Sequence, residues 1–200
     1  MQLNRIELEL LFPDSIQNLS IIDLSRRRLT AILNDAFAIV GQRLEQIVLS
    51  ENTISLIETD ALSYLVILNY LDISDNELKR IDSQLFRSLC GLEKLNLNKN
   101  QIEEIEHDSF VGCKNLYEIN MACNMLNGVD DELFQSDIGF RSQNLLLINL
   151  ANNRLSKINI GLFRSLVRLE VINLGSNLID ELEGGCYEDL RNLKNKSQKI

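Results

Sequence analysis

Leu92-Glu93-Lys94-Leu95-Asn96-Leu97-Asn98-Lys99-Asn100 decides how this chain folds, together with Ile102, Ile105 and Phe110 that follow it. Leu95 and Leu97 alternate with Lys94, Asn96 and Asn98, so a short strand buries one face and wets the other. The same frame returns at Leu44, Leu68, Leu92, Leu116, Leu145 and Leu169, in steps of 24, 24, 24, 29 and 24. Leu19 opens one more copy 25 residues before Leu44. A fixed period of this size is the mark of a solenoid, in which one copy cannot bury its own faces and stability accumulates from neighbours.

Two columns of residues support the stack. Asn52, Asn76, Asn100, Asn124, Asn153 and Asn177 stand nine places into successive copies. An amide carries donors and acceptors, so stacked asparagines can satisfy turn backbones that would otherwise be buried unpaired. The second column is Phe37, Phe86, Phe110, Phe134, Phe163 and Tyr187, with Leu62 in one copy, and is expected to fill the core beneath the outer return. The predicted fold class is α/β: a curved, right-handed solenoid with a parallel sheet on the concave face and irregular or short helical returns on the convex one.

On these motifs the chain resembles the leucine-rich repeat proteins of the typical class, with 24-residue copies and phenylalanine in the return. The resemblance spans roughly residues 3 to 192. That class is found mainly in secreted and cell-surface proteins, including Toll-like receptor ectodomains, Slit-like guidance proteins, small leucine-rich proteoglycans and insect leucine-rich immune proteins. It implies recognition of a protein ligand or co-receptor by a curved array, in a receptor or immune protein. Extracellular members usually carry cysteine-rich caps. None precedes Cys90 here, and the first full copy has Arg27 where asparagine belongs.

The array is expected over residues 1–192, with a short initial strand at 3–18 marked by Leu3, Ile6 and Leu8, and residues 193–200 forming a basic tail. The insertion in the copy starting at Leu116 falls after Phe134, in QSDIGFRSQ, where Ile138 and Phe140 are candidate loop contacts. Arg5, Glu7, Glu9 and Asp14 interrupt any apolar run at the N-terminus, so no signal peptide is read there. The repeat class favours an extracellular or surface protein represented by a fragment without leader and caps. The alternatives are an intracellular scaffold or adaptor and a structural role in which exposed ends stack into a homo-oligomer.

Net charge is −9 with no basic stripe in the sequence, which disfavours nucleic acid and anionic membranes. No apolar run approaches the ~20 residues that cross a bilayer. Four cysteines, Cys90, Cys113, Cys123 and Cys186, are too scattered for a disulfide framework. Cys90 and Cys113 lie 23 apart, so they either bridge adjacent copies or remain small apolar residues. No metal-ligand spacing, phosphate loop or serine elbow occurs, and His107 is the only histidine. No catalytic residue, cofactor or metal is expected, and the chain is not read as an enzyme. Asn18-Leu19-Ser20 and Asn195-Lys196-Ser197 match the glycosylation acceptor pattern.

Outward strand positions of successive copies become lateral neighbours ~4.8 Å apart. One column is Ile21, Gln46, Tyr70, Lys94, Glu118, Leu147 and Val171, and the next is Asp23, Val48, Asp72, Asn96, Asn120, Asn149 and Asn173. Tyr70, Asp72, Lys94, Asn96, Glu118 and Asn120 form the central patch expected to bind the partner, because tyrosine is enriched in hot spots and charges set orientation.

Overall fold

The computed structural model describes residues 1–12, 16–131, 133–134, 144–159, 161–164, 166–182 and 192–197. Ile138, Phe140, Tyr187 and Cys186 lie outside them.

Each copy contributes one three-residue strand to a single parallel sheet. Its strands are Ile21–Asp23, Gln46–Val48, Tyr70–Asp72, Lys94–Asn96, Glu118–Asn120, Leu147–Asn149, Val171–Asn173 and Asn195–Ser197. Their order in the sheet follows their order in the chain. The alternation expected at Leu92–Asn100 recurs: Ile47, Leu71, Leu95, Ile119, Ile148 and Ile172 are buried at the centre of their strands, while both flanking residues are half-exposed. Burying each such side chain contributes about 1.5–3 kcal/mol, and every one touches a neighbouring coil rather than only its own.

The outward-bulging returns are made of successive i→i−3 turns, as in Ala61 to Glu58, Leu65 to Leu62 and Leu89 to Phe86. Two-residue strands pair there in smaller sheets: Gln2–Leu3, Ala31–Ile32 and Leu56–Ile57 in one, Arg80–Ile81 with Glu104–Ile105 in another, and Lys157–Ile158 with Glu181–Leu182 in a third. Beneath them Phe37, Leu62, Phe86, Phe110, Phe134 and Phe163 are fully buried. Phe86 and Phe110 stack at 6.0 Å and 12°, and Phe110 and Phe134 at 5.9 Å and 14°.

The asparagine column bonds the coils together. In Asn100, Oδ1 accepts the Leu78 N–H of the preceding coil at 3.1 Å, and Nδ2 donates to the carbonyls of Ile73 at 2.9 Å and Leu97 at 3.2 Å. Asn52, Asn76, Asn124, Asn153 and Asn177 each repeat this, accepting from the preceding turn and donating to both coils. Arg27 needs no amide of its own, because its backbone N–H donates to Asn52 Oδ1 at 2.9 Å.

Both ends differ from the sequence reading. Residues 3–18 do not form an initial strand: among the described residues of this span the one strand is Gln2–Leu3, which pairs with Ala31–Ile32 on the return side. Arg5–Leu11 is an α-helix, followed by a 3-10 turn at Ile16–Asn18. The physical reason is a capping box. Asn4 Oδ1 accepts the Glu7 N–H at 3.0 Å, Glu7 Oε2 accepts the Asn4 N–H at 3.2 Å, and Arg5 pairs with Glu9 one turn on at 2.8 Å. Leu8 is fully buried and belongs to the same apolar core as Phe37. The stretch expected as a basic tail adds the eighth strand, with Asn195, Lys196 and Ser197 opposite Val171, Ile172 and Asn173. Leu193 lies 24 residues after Leu169, but Lys196 takes the register position of an apolar residue and hid the copy. Among the described residues no helix is long and apolar enough to cross a membrane.

Candidate functional site

The register of the long sheet brings the six candidate residues into two rows of three. Tyr70, Lys94 and Glu118 are direct lateral neighbours, and so are Asp72, Asn96 and Asn120. All six are half-exposed. Gln46 and Val48 precede them, Leu147 and Asn149 follow, and Val171 and Asn173 lie one strand further.

Charges in the first row are paired within the protein. Lys94 Nζ lies 3.0 Å from Glu118 Oε2 and 5.5 Å from the centre of the Tyr117 ring. The hydrogen bond to Glu118, with the attraction of that carboxylate, raises the Lys94 ammonium above the ordinary lysine value. The Tyr70 hydroxyl donates to Asp72 Oδ2 at 3.3 Å. Burial first, and then the Asp72 charge, raise the Tyr70 phenol. The first row is therefore a set of polar groups oriented by one another, with Lys94 over the Tyr117 ring and the Tyr70 hydroxyl on Asp72.

The second row has a local duty that its residue types alone do not announce. Asp72 Oδ1 accepts the Ser74 N–H at 2.8 Å, Asn96 Oδ1 accepts the Asn98 N–H at 3.2 Å, and Asn120 Oδ1 accepts the Ala122 N–H at 3.2 Å. Asp23, Asn149 and Asn173 do the same for residues two further on. These are Asx turns, which fix the chain as it leaves the sheet. One oxygen of each side chain is thus committed to the turn, and the remaining polar atoms are what the row can offer outward. The signal was present as an Asp/Asn column broken only by Val48.

Sequence reasoning also missed a third column, Glu45, Asn69, Glu93, Tyr117, Leu146 and Glu170. These residues stack through backbone bonds one place ahead of the strands, such as Tyr117 N–H to Glu93 O at 2.9 Å. It missed a fourth at the turn before each ladder asparagine, where Arg26, Glu51, Asp75, Lys99, Cys123, Asn152 and Ser176 all have φ between 53° and 57°. Arg26 grips Glu51 with two bonds of 2.8 and 2.7 Å, and Lys99 meets Asp75 at 3.3 Å. These pairs are exposed, so each contributes little to stability.

Other candidate chemistry resolves into structure. Glu106 accepts the Ser83 amide N–H at 2.9 Å and pairs with Arg80, and these contacts pull its carboxyl down to about 2. His107 sits 46% exposed between Asp108 and Asp130, at 3.5 and 3.4 Å. Cys90, Cys113 and Cys123 carry free thiols, and burial, with nearby Cys90, pushes Cys113 up to about 12. Among the described residues no group of three or more His, Cys, Asp or Glu could hold a metal ion. Asn18 is exposed at the end of its 3-10 turn, and Asn195 begins the eighth strand.

Comparison with known proteins follows this geometry. The leucine rich repeat family matches residues 17–78, 42–102, 68–126, 90–136 and 143–195. No curated protein matches the chain. Among solved structures it is similar to a chain of the Toll–Spatzle complex of Drosophila, described as a molecular hub in development and innate immunity, with a TM-score of 0.68 and 19% identity. The match covers 84% of this chain and 24% of that one, so the chain spans about a quarter of its solved relative. At that identity the likeness carries the fold, and the family match carries the lineage. With its parallel sheet, its asparagine ladder and these matched copies, the chain belongs to the leucine-rich repeat family.

Proposed function

We propose that this chain is a non-enzymatic recognition module of an extracellular or cell-surface protein, binding another protein across the outward face of its long sheet. The observation that carries the reading is the row Tyr70, Lys94 and Glu118, aligned by strand register and braced by the Lys94 contacts to Glu118 and Tyr117. An aromatic anchor beside an oriented charge pair supplies apolar area and directional polarity together. Because the sheet holds these groups in place, little ordering entropy opposes association. The similar solved chain comes from a complex with another protein, which supports a protein partner here too.

The test starts by screening the chain, displayed as a multivalent fusion, against a library of secreted and surface ectodomains. The Tyr70→Ala/Lys94→Ala double variant is then titrated against the partner found. Affinity is expected to fall by about 30-fold or more, the loss of one ~2 kcal/mol hot spot, with the melting temperature nearly unchanged. Equal affinity in the double variant would remove the binding site from this face.

A further inference from the structure

The side of the solenoid where each return runs back toward its strand has a character opposite to the rest of the molecule. In a chain with 29 acidic and 20 basic residues, the described residues of returns 38–43, 63–67, 87–91, 111–115 and 161–168 include no Asp or Glu, and the intervening return 135–143 lies outside the described residues. They carry Arg43, Arg87, Lys114, Arg164 and Arg168, all exposed.

Returns 38–43, 63–67, 87–91 and 111–115 lie on one continuous flank, because they touch coil to coil. A Cβ on Gly41 would fall 2.4 Å from Tyr64, one on Gly91 would fall 3.0 Å from the Val66 carbonyl, and one on Gly112 would fall 2.2 Å from the Arg87 carbonyl. Further along, Asn144 Nδ2 donates to the Lys114 carbonyl at 3.0 Å, and Arg168 Nη1 donates to Asn144 Oδ1 at 3.1 Å.

Two independent features set this flank apart. The first is charge that is steered by neutral partners: Arg87 Nη1 donates to Gln84 Oε1 at 2.7 Å and Arg168 to Asn144, so both guanidiniums are oriented while keeping their full charge. The second is exposed apolar surface between the cations, with Tyr64 41%, Val66 46%, Ile67 44% and Val167 49% exposed. Carboxylates bound the strip on both sides: Asp35 holds the Tyr64 hydroxyl at 2.8 Å, and Glu45 and Glu93 stand where the returns enter the sheet.

The geometry points to this flank as a second docking surface, separate from the sheet face, for a protein segment in which acidic residues are interleaved with apolar ones. Charge complementarity selects an acidic occupant, since the described residues of these returns carry five cations and no carboxylate. The apolar side chains select a protein segment over a polyanion, whose phosphate or sulfate backbone would leave Val66 and Ile67 uncovered. A second copy docking flank to flank would oppose cation to cation, which an isologous contact cannot relieve.

The test titrates the full chain with a fluorescein-labelled dodecapeptide of alternating glutamate and leucine, alongside a heparin dodecasaccharide and phosphatidylserine vesicles. Saturable binding of the peptide is expected, weakened at least about tenfold by Arg87→Glu/Arg168→Glu and separately by Val66→Ser/Ile67→Ser. The Tyr70→Ala/Lys94→Ala variant should bind the peptide as the parent does, which separates this surface from the sheet-face reading. The substituted flank side chains are exposed, and circular dichroism with a thermal melt verifies that each variant is folded. Absence of saturable peptide binding, equal binding by the flank variants, or tighter binding of heparin or vesicles than of peptide would each overturn the proposal.

Discussion

At the scale of single residues, identical side chains do different work according to where the coil places them. Asn100 and Asn96 are four positions apart. Asn100 is 6% exposed and its amide serves three backbone groups in two coils, whereas half-exposed Asn96 holds one turn amide. Removing a partner from a buried backbone group costs about 1–3 kcal/mol, while a solvent-replaceable bond is worth about 1 kcal/mol or less. Asn100→Ala is therefore expected to destabilise the chain by about 3 kcal/mol and Asn96→Ala by about 1 kcal/mol. Urea titrations of the two variants would read the difference, and equal midpoints would contradict the ladder's role. The ladder was legible in sequence because its spacing is constant. The Asx turns were not singled out, since an outward Asn reads equally as contact residue or as turn brace until the hydrogen bond is seen.

Within an element, the limiting quantity is space between coils. The phenylalanine stack keeps adjacent returns about 6 Å apart at the ring centres, and the segment after it must come closer still. Gly112 meets that demand: a Cβ there would lie 2.2 Å from the Arg87 carbonyl oxygen, backbone that cannot swing away. Gly128 has nothing within 4 Å of the same position. Gly112→Ala should thus cost about 2–3 kcal/mol, in the range of overpacked cores, and Gly128→Ala less than about 0.5 kcal/mol. Paired thermal melts decide it, and a neutral Gly112→Ala would mean that the coils separate easily. The first helix is the element that sequence periodicity misjudged. Ile6, Leu8 and Leu10 alternate with charges as in a strand, but the Asn4 and Glu7 capping bonds start a helix, which leaves Leu10 73% exposed.

For the whole molecule, stability is a chain of neighbour contacts. Among the described residues, strands from Gln46–Val48 to Val171–Asn173 have a partner on each side, while Ile21–Asp23 and Asn195–Ser197 have one. Terminal coils give up less burial on opening than central ones, so protection should be graded along the array. Hydrogen exchange read by mass spectrometry is expected to find the amides of Tyr70–Asp72, Lys94–Asn96 and Glu118–Asn120 slowest, with faster exchange toward both ends. Uniform protection from end to end would instead mean a single cooperative unit. The same rigidity makes the sheet face and the flank suitable as preformed surfaces, since neither has to be ordered by what it binds.

By itself the sequence determined the period, the inward apolar columns, the asparagine ladder and the two lateral rows of the sheet face, because these follow from local alternation and constant spacing. Register did the rest of that work: once each copy is 24 residues long, Lys94 has to meet Tyr70 and Glu118. The tertiary structure alone decided what neighbouring coils do to side chains of free rotamer. It placed Lys94 between Glu118 and the ring of Tyr117, turned the Asp72, Asn96 and Asn120 oxygens onto their own turns, and drew Glu106 onto the Ser83 amide. It also gathered five cations from four separate returns onto one flank. The returns that carry them are 27 to 50 residues apart along the chain, from Arg43 to Arg87, Lys114 and Arg164, too far for any local pattern to register, and they come onto one side only when the coils stack.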